Sequence, residues 1–316
     1  MKRRKGIAIG LVAALPAVLF LALSVGSESI SLFDLDDQKR AILFDIRLPR
    51  VLLAATVGAS LAAAGASLQA MLRNPLAEPY LLGVSNGAAL GTMLAFILFE
   101  QAGYARPILA FAGAALATVT VYQMARSRAG MNVERLVLSG VIVTTMLSSI
   151  IILLTSLLEA AKLRGFTFWL LGDLSQATME GFYLTLAASV IGVILLTSQG
   201  RALNLMMIGE RDALDFGVEI GRVRLLVFGV ASLLVGTAVA ASGSVGYVGL
   251  IVPHLVRMAA GSDNRFVLPF SAVSGAIFVV LADMAARTAL APRELPVGAI
   301  TALIGAPLFI YLLRRN

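Results

Sequence analysis

Hydrophobic residues along this chain fall in long blocks separated by short polar turns, without the sustained alternation that marks a strand. Ten such blocks can be drawn, at about 6–25, 50–72, 80–100, 106–125, 136–158, 180–198, 225–243, 245–260, 266–288 and 297–313. As helices, runs of about 17–25 apolar residues match the hydrocarbon thickness of a bilayer; a membrane barrel would show roughly ten-residue alternating segments. Inside lipid the backbone polar groups have no water to bond, and a helix satisfies them within the segment. The pattern predicts an all-α, polytopic membrane protein of about ten transmembrane helices, a single transmembrane domain over 1–316. The eighth block is short and carries Pro253, so its junction with the seventh, around Ser242–Gly246, is the least defined.

Composition narrows this further. The 316 residues are 59% hydrophobic and only 14% charged, against about 25% charged in an ordinary soluble domain, and the mean hydropathy is +0.91. The absence of cysteine excludes disulfides, metal thiolates and a cysteine nucleophile. A pI near 10.1 could point to nucleic acid. The basic residues sit in short loops beside the blocks, however, so membrane topology is the better account and no nucleic-acid partner is expected. With the N-terminus inside, 16 of the 25 lysines and arginines fall on the inner side, which places both termini in the cytoplasm. Met1-Lys-Arg-Arg-Lys5 before the first block resembles a signal peptide. No clear small-x-small cleavage site precedes the acidic stretch that follows, so the block is read as a retained span.

A gap-free shift of 178 residues aligns Val57 with Val235, Gly58 with Gly236, Ala62 with Ala240, Gly65 with Gly243 and Pro75 with Pro253. This raises a possible inverted repeat relating spans 2–5 to spans 7–10. Against strict equivalence, Pro75 falls in a loop and Pro253 in a span. The second span is rich in small residues, from Ala54 through Gly58 to Ala66, which let helix backbones approach closely in lipid.

Chemistry-bearing residues are few. No phosphate-binding glycine loop, zinc-binding histidine pair or nucleophile turn occurs, so any energy from ATP must come from another subunit. The lone His254 cannot build a multi-ligand metal site. Asp283 and Arg287, four apart in the ninth span, share a face and can pair locally. Arg287 can instead present its guanidinium to the exterior, as can Arg47 and Arg50 at the mouth of the second span, where interfacial anchoring is the plainer role. Asp283 could also titrate, which leaves a proton-coupled secondary transporter as a rival reading. The hydroxyls Thr144, Thr145, Ser148, Ser149, Thr155 and Ser156 on the fifth span either bond their own helix's carbonyls or line a polar passage or a subunit seam. The longest inner loop, about 199–224, contains Gly209-Glu-Arg-Asp-Ala213-Leu-Asp-Phe-Gly217, a short amphipathic helix ended by glycine. A basic return, Gly221-Arg-Val-Arg224, follows it. Such a helix either lies at the membrane surface or docks in a groove on a soluble protein.

Several segments together carry a resemblance: Arg47-Leu-Pro-Arg50, Gln69-Ala-Met-Leu-Arg-Asn-Pro-Leu-Ala-Glu-Pro79, Leu82-Gly-Val-Ser-Asn-Gly-Ala88, Gly246-Tyr-Val-Gly-Leu-Ile-Val-Pro-His254, Leu281-Ala-Asp-Met-Ala-Ala-Arg287, Glu294-Leu-Pro-Val-Gly298 and Leu303-Ile-Gly-Ala-Pro307. In order along nearly the whole chain, they resemble the permease subunits of ATP-binding-cassette importers for iron chelates, haem and vitamin B12. The resemblance implies an inner-membrane subunit that is not an enzyme. It would work with a second permease copy (a homodimer or close heterodimer), two cytoplasmic ATP-binding subunits that carry ATP and Mg, and an extracytoplasmic substrate-binding protein. It implies docking of that protein at Arg47, Arg50 and Arg287, coupling to the ATPases through Glu210, Ala213 and Gly217, and a pathway along Thr144, Thr145, Ser148, Ser149 and Thr155. No catalytic residue, metal site or cofactor is expected on this chain. Ferric siderophore is the expected cargo, with cobalamin and haem as alternatives.

Overall fold

The computed structural model describes residues 2–26, 36–99, 104–127 and 130–315. Arg128, counted above with the inner basic residues, position 100 of the third block and the start of the acidic stretch after the first block lie outside the described residues. The helices, in order, are α1 (Lys2–Ser24), α2 (Asp37–Ala41), α3 (Leu48–Leu72), α4 (Val84–Leu98), α5 (Ala105–Ala125), α6 (Val133–Thr155) and α7 (Ala160–Leu170). They continue with α8 (Met179–Ser198), α9 (Gly200–Ile208), α10 (Glu210–Asp215), α11 (Ile220–Ser242), α12 (Val248–Ala260), α13 (Asn264–Thr288) and α14 (Val297–Arg315). A π-helical stretch, Ile42–Arg47, joins α2 to α3, and a two-residue antiparallel ladder pairs Arg126–Ser127 with Gly130–Met131.

Seven helical runs among the described residues are long and apolar enough to cross a membrane: Arg3–Ser24, Asp37–Leu72, Ala105–Ala125, Val133–Thr155, Met179–Ser198, Ile220–Ser242 and Asn264–Thr288. The other three expected blocks form shorter apolar helices, Val84–Leu98, Val248–Ala260 and Val297–Tyr311. The fold is thus a helical membrane bundle, with all ten blocks helical but not all of spanning length.

Two boundaries and two further details refine the expectation. The second span begins well before residue 50, because the helical run continues back through the π-helical stretch to Asp37, with Pro49 in the first turn of α3. Pro253 lies inside α12 without interrupting it. Gly221-Arg-Val-Arg224 is the first turn of α11, not a return loop. The segment between the fifth and sixth blocks carries a helix of its own, α7.

The packing explains the small residues. α3 runs through the centre, against α13, α11, α12 and α8. A Cβ placed on Gly58 would collide with the Gly275 carbonyl of α13, and one on Gly65 with Gly249 of α12. Gly87 of α4 and Gly113 of α5 meet in the same way. In lipid, such close backbone approach supplies the van der Waals contact that holds helices together.

The elements pair in the way the possible repeat requires. α3–α4–α5 and α11–α12–α13 both run long, short, long. α3 lies antiparallel on α13, with Gly58 facing Gly275 and Arg50 facing Asp283. α11 lies antiparallel on α5, with Gly236 facing Ala114 and Phe228 stacked on Tyr122. Gly58 and Gly236, matched by the 178-residue shift, therefore occupy corresponding crossings. The register is lost beyond them because the α3–α4 connection spans 73–83 while the α11–α12 connection spans only 243–247. Pro75 and Pro253 are not equivalent.

Candidate functional site

The two ends of α3 carry the candidate residues. Its 25 residues extend about 37 Å at 1.5 Å each. Arg50 lies in its first turn, and Arg73 caps its C-terminus in the left-handed conformation at φ +50°.

At the first end, Arg50 donates through Nε to Asp283 Oδ1 at 2.9 Å and through a terminal nitrogen to Glu294 Oε2 at 2.7 Å. Asp283 also pairs with Arg287, one helical turn on, at 3.0 Å. Arg287 reaches across to the Ala22 carbonyl of α1 at 3.1 Å, and Arg47 to the Leu23 and Ser24 carbonyls at 3.1 and 3.3 Å. Three helices are therefore cross-linked by guanidinium groups. Arg47, Arg50 and Arg287 are each no more than 5% exposed and Asp283 is fully buried. This corrects the expectation of outward-facing arginines: a guanidinium at a helix end that cannot reach water must take its anions from the fold. The local Asp283–Arg287 pair was legible from spacing. Its bridging by Arg50, 233 residues away in sequence, was not. Glu294 was quoted only within a motif, and no local signal marks it as the half-exposed partner that closes this cluster.

At the other end, Glu210 at the start of α10 pairs with Arg224 of α11 at 2.6 Å and with Arg73 at 3.4 Å, clamping α10 to the ends of two long helices. Ala213 is fully buried and so faces inward, against the expectation that it fits a partner's groove. The large hydrophobic residues that α10 and the following turn leave in the open are Leu214, 59% exposed, and Phe216, 73% exposed. Gly217 ends the element at φ +78°, a conformation that glycine adopts without a Cβ clash, and open space surrounds it. An amphipathic reading could have found Leu214 and Phe216, because they alternate with Asp212, Ala213 and Asp215.

The hydroxyl stripe on α6 divides. Thr145, Ser149, Thr155 and Ser156 donate to carbonyls of their own helix, three or four residues back. Thr144 and Ser148 face α4, where the Asn86 amide donates to the Thr144 carbonyl at 3.1 Å and to Ser148 Oγ at 2.6 Å. Only the second pair forms a contact between helices. A further polar knot went unread in the sequence. The Gln69 amide donates to the Ala77, Gly249 and Leu250 carbonyls at 3.1–3.3 Å while its oxygen accepts from Arg257. Tyr80 exchanges two hydrogen bonds with the backbone of Val245. Together they tie the α3–α4 connection to the α11–α12 connection, the seam between the two halves. Among the described residues, no group of three or more His, Cys, Asp or Glu side chains is placed to hold a metal ion.

Comparison with known proteins gives this arrangement a lineage. The chain is 42% identical over 296 residues to the cobalamin import system permease protein BtuC of Halobacterium salinarum, covering 93% of this chain and 79% of that one. It is 38% identical over 306 residues to the Fe(3+)-citrate import system permease protein YfmD of Bacillus subtilis, covering 94% and 91%. A solved structure of a metal-chelate type ABC transporter in an inward-facing conformation superposes with a TM-score of 0.91 at 33% identity, over 99% of this chain and all of that one. The description of the FecCD transport family matches residues 14–315. With helices, polar seams and buried charges in one continuous bundle and a family match over nearly its whole length, the chain belongs to the FecCD transport family: it is a membrane permease subunit, a transport component and not an enzyme.

Proposed function

We propose that this permease moves a metal chelate, a ferric siderophore, inward across the cytoplasmic membrane, with both termini in the cytoplasm. In this reading two cytoplasmic ATP-binding subunits grip the α10 region of a pair of permeases, and an extracytoplasmic binding protein delivers the cargo at the Arg50 end. The observation that carries the reading is α10 itself. A six-residue helix with Leu214 and Phe216 in the open is anchored by Glu210 to Arg73 and Arg224, so a push on it reaches the far ends of α3 and α11. Exposed aromatic and aliphatic anchors on a rigid support are what a groove on a soluble partner recognises. Glu210, Ala213 and Gly217 then serve as the clamp, the inward foot and the stop of this element.

Docking of the binding protein is proposed at the rim formed by Arg47, Arg50, Arg287 and Glu294. Since the arginines are already paired inside, an acidic partner would act by adding to or replacing their half-exposed anion, Glu294. The pathway is proposed along α6, where Thr144, Thr145, Ser148, Ser149 and Thr155 offer hydroxyls and no metal ligand. That suits a chelated metal handled by shape, not a bare ion. A relative named for Fe(3+)-citrate supports an iron chelate, and one named for cobalamin keeps that cargo as the second reading.

The test is uptake by the reconstituted complex of permease, ATPases and binding protein in proteoliposomes. Expected is ATP-dependent accumulation of ferric siderophore, unaffected by collapsing the proton gradient and exceeding that of cobalamin or haem. Preferential cobalamin or haem uptake would reassign the cargo. Uptake that follows the proton gradient without ATP would reject the importer reading.

A further inference from the structure

We infer that the groove between the first turns of α1 and α13 is a binding site for an anionic phospholipid, with the phosphate at Lys5 and Arg265 and an acyl chain along Ala8, Phe266 and Phe270. The groove is roughly 620 Å³ and is lined by those five residues together with Arg4. Its two walls are of different kinds. Arg4 is fixed, donating to the Ala260 carbonyl at 3.1 Å and pairing with Asp263 at 3.5 Å, while its guanidinium lies 4.5 Å over the Phe266 ring. Phe266 and Phe270, one helical turn apart with ring centroids 6.1 Å from each other, carry an apolar strip along the helix axis. The strip runs beside α1, which exposes Ile9 and Val12 by more than 70% and so meets lipid along its length.

The charge at the mouth is in excess of what the fold uses. Asp263 is held by Asn204 at 2.7 Å and by the Arg265 fork at 2.8–3.2 Å, and these hydrogen bonds, Arg265's above all, keep its carboxyl well below the usual carboxylate range. Among the described residues Asp263 pairs with Arg4 and Arg265, while Arg3 and Lys5 add two further cations in the first turn of α1. Lys5 is exposed and makes no ion pair among the described residues. A basic pocket between membrane helices, at the depth where headgroups sit and continuous with an apolar strip below, matches the two parts of a phospholipid. A free phosphate would satisfy the cations and leave the phenyl strip without a partner.

The experiment is native mass spectrometry and thermal unfolding of the purified full-length protein with added dioleoyl phosphatidylglycerol, dioleoyl phosphatidylcholine or inorganic phosphate. Expected is retention of phosphatidylglycerol and a raised Tm with that lipid alone. Lys5→Gln, which removes no ion pair among the described residues, should weaken retention about fivefold, the scale of one basic residue at a membrane surface. Phe270→Ala should also weaken it, while leaving the preference for the anionic headgroup. Equal retention of phosphatidylcholine, a Tm rise as large with inorganic phosphate, or unchanged phosphatidylglycerol retention by Lys5→Gln would each overturn the inference.

Discussion

The two ends of α3 handle charge in opposite ways. At the Arg50 end, Arg50, Asp283 and Arg287 are buried together, and the carboxylate of Asp283 serves two guanidiniums. At the Arg73 end, Glu210 bridges Arg73 and Arg224 with about half its side chain exposed, and Leu214 and Phe216 stand exposed among charged neighbours. Buried pairs are strong only as complete sets, because removing one member strands a desolvated charge. Exposed pairs are weak and exchangeable. One end therefore holds three helices in a fixed relation, and the other, on the proposed reading, is the end that a partner grips and moves.

The sharpest way to break this contrast is Asp283→Ala. It leaves Arg50 and Arg287 buried without their shared anion and should cost about 3–5 kcal/mol, read as lost monodisperse yield and a lowered Tm in detergent. Glu210→Ala, at the exposed end, should lower Tm by far less; equal losses would erase the distinction. Next in size is the helix crossing. Gly58→Val places side-chain atoms into the Gly275 carbonyl and should cost about 1–3 kcal/mol by overpacking. Gly236→Ala, whose new Cβ would lie 3.4 Å from Ala114, should be close to neutral in the same Tm assay. A large loss at Gly236 would mean that the second crossing is as tight as the first.

Phe216→Asp addresses the α10 end. It should leave Tm unchanged while weakening ATPase-subunit affinity by about 2 kcal/mol, the scale of an interface hot spot, measured by pull-down titration or by transport-coupled ATP hydrolysis. Normal coupling in this variant would remove α10 from the mechanism. The smallest effect belongs to Gly217→Ala. There is room for the methyl group, so only the positive φ is penalised, at about 1 kcal/mol. A larger loss would point to a contact that the backbone geometry does not reveal.

Much of this was legible because membrane helices announce themselves locally. The apolar blocks, the small-residue face of α3 and the four-residue spacing of Asp283 and Arg287 are all short-range signals. What stayed hidden was long-range. Nothing near Arg50 in the sequence indicates that its partners lie in α13 and in the turn before α14, so its guanidinium was read as outward-facing. The hydroxyls of α6 looked like one stripe, yet only Thr144 and Ser148 meet a neighbouring helix, because Asn86 arrives from α4. Ala213 was read as a contact on the strength of a motif, when helix phase turns it inward and exposes Leu214 instead. The start of α11 was misplaced because arginines in a first turn look like a loop when only hydropathy is read.

The most direct test of the account is side-specific labelling, which the absence of native cysteine makes clean. Leu290→Cys, exposed beside the Arg50 cluster, and Phe216→Cys, exposed beyond α10, are each treated in intact cells with a membrane-impermeant maleimide. Labelling at 290, with 216 reached only after the membrane is opened, is the predicted result. Labelling of both positions from outside, or of 216 alone, would contradict a bundle whose two ends face opposite sides of the membrane.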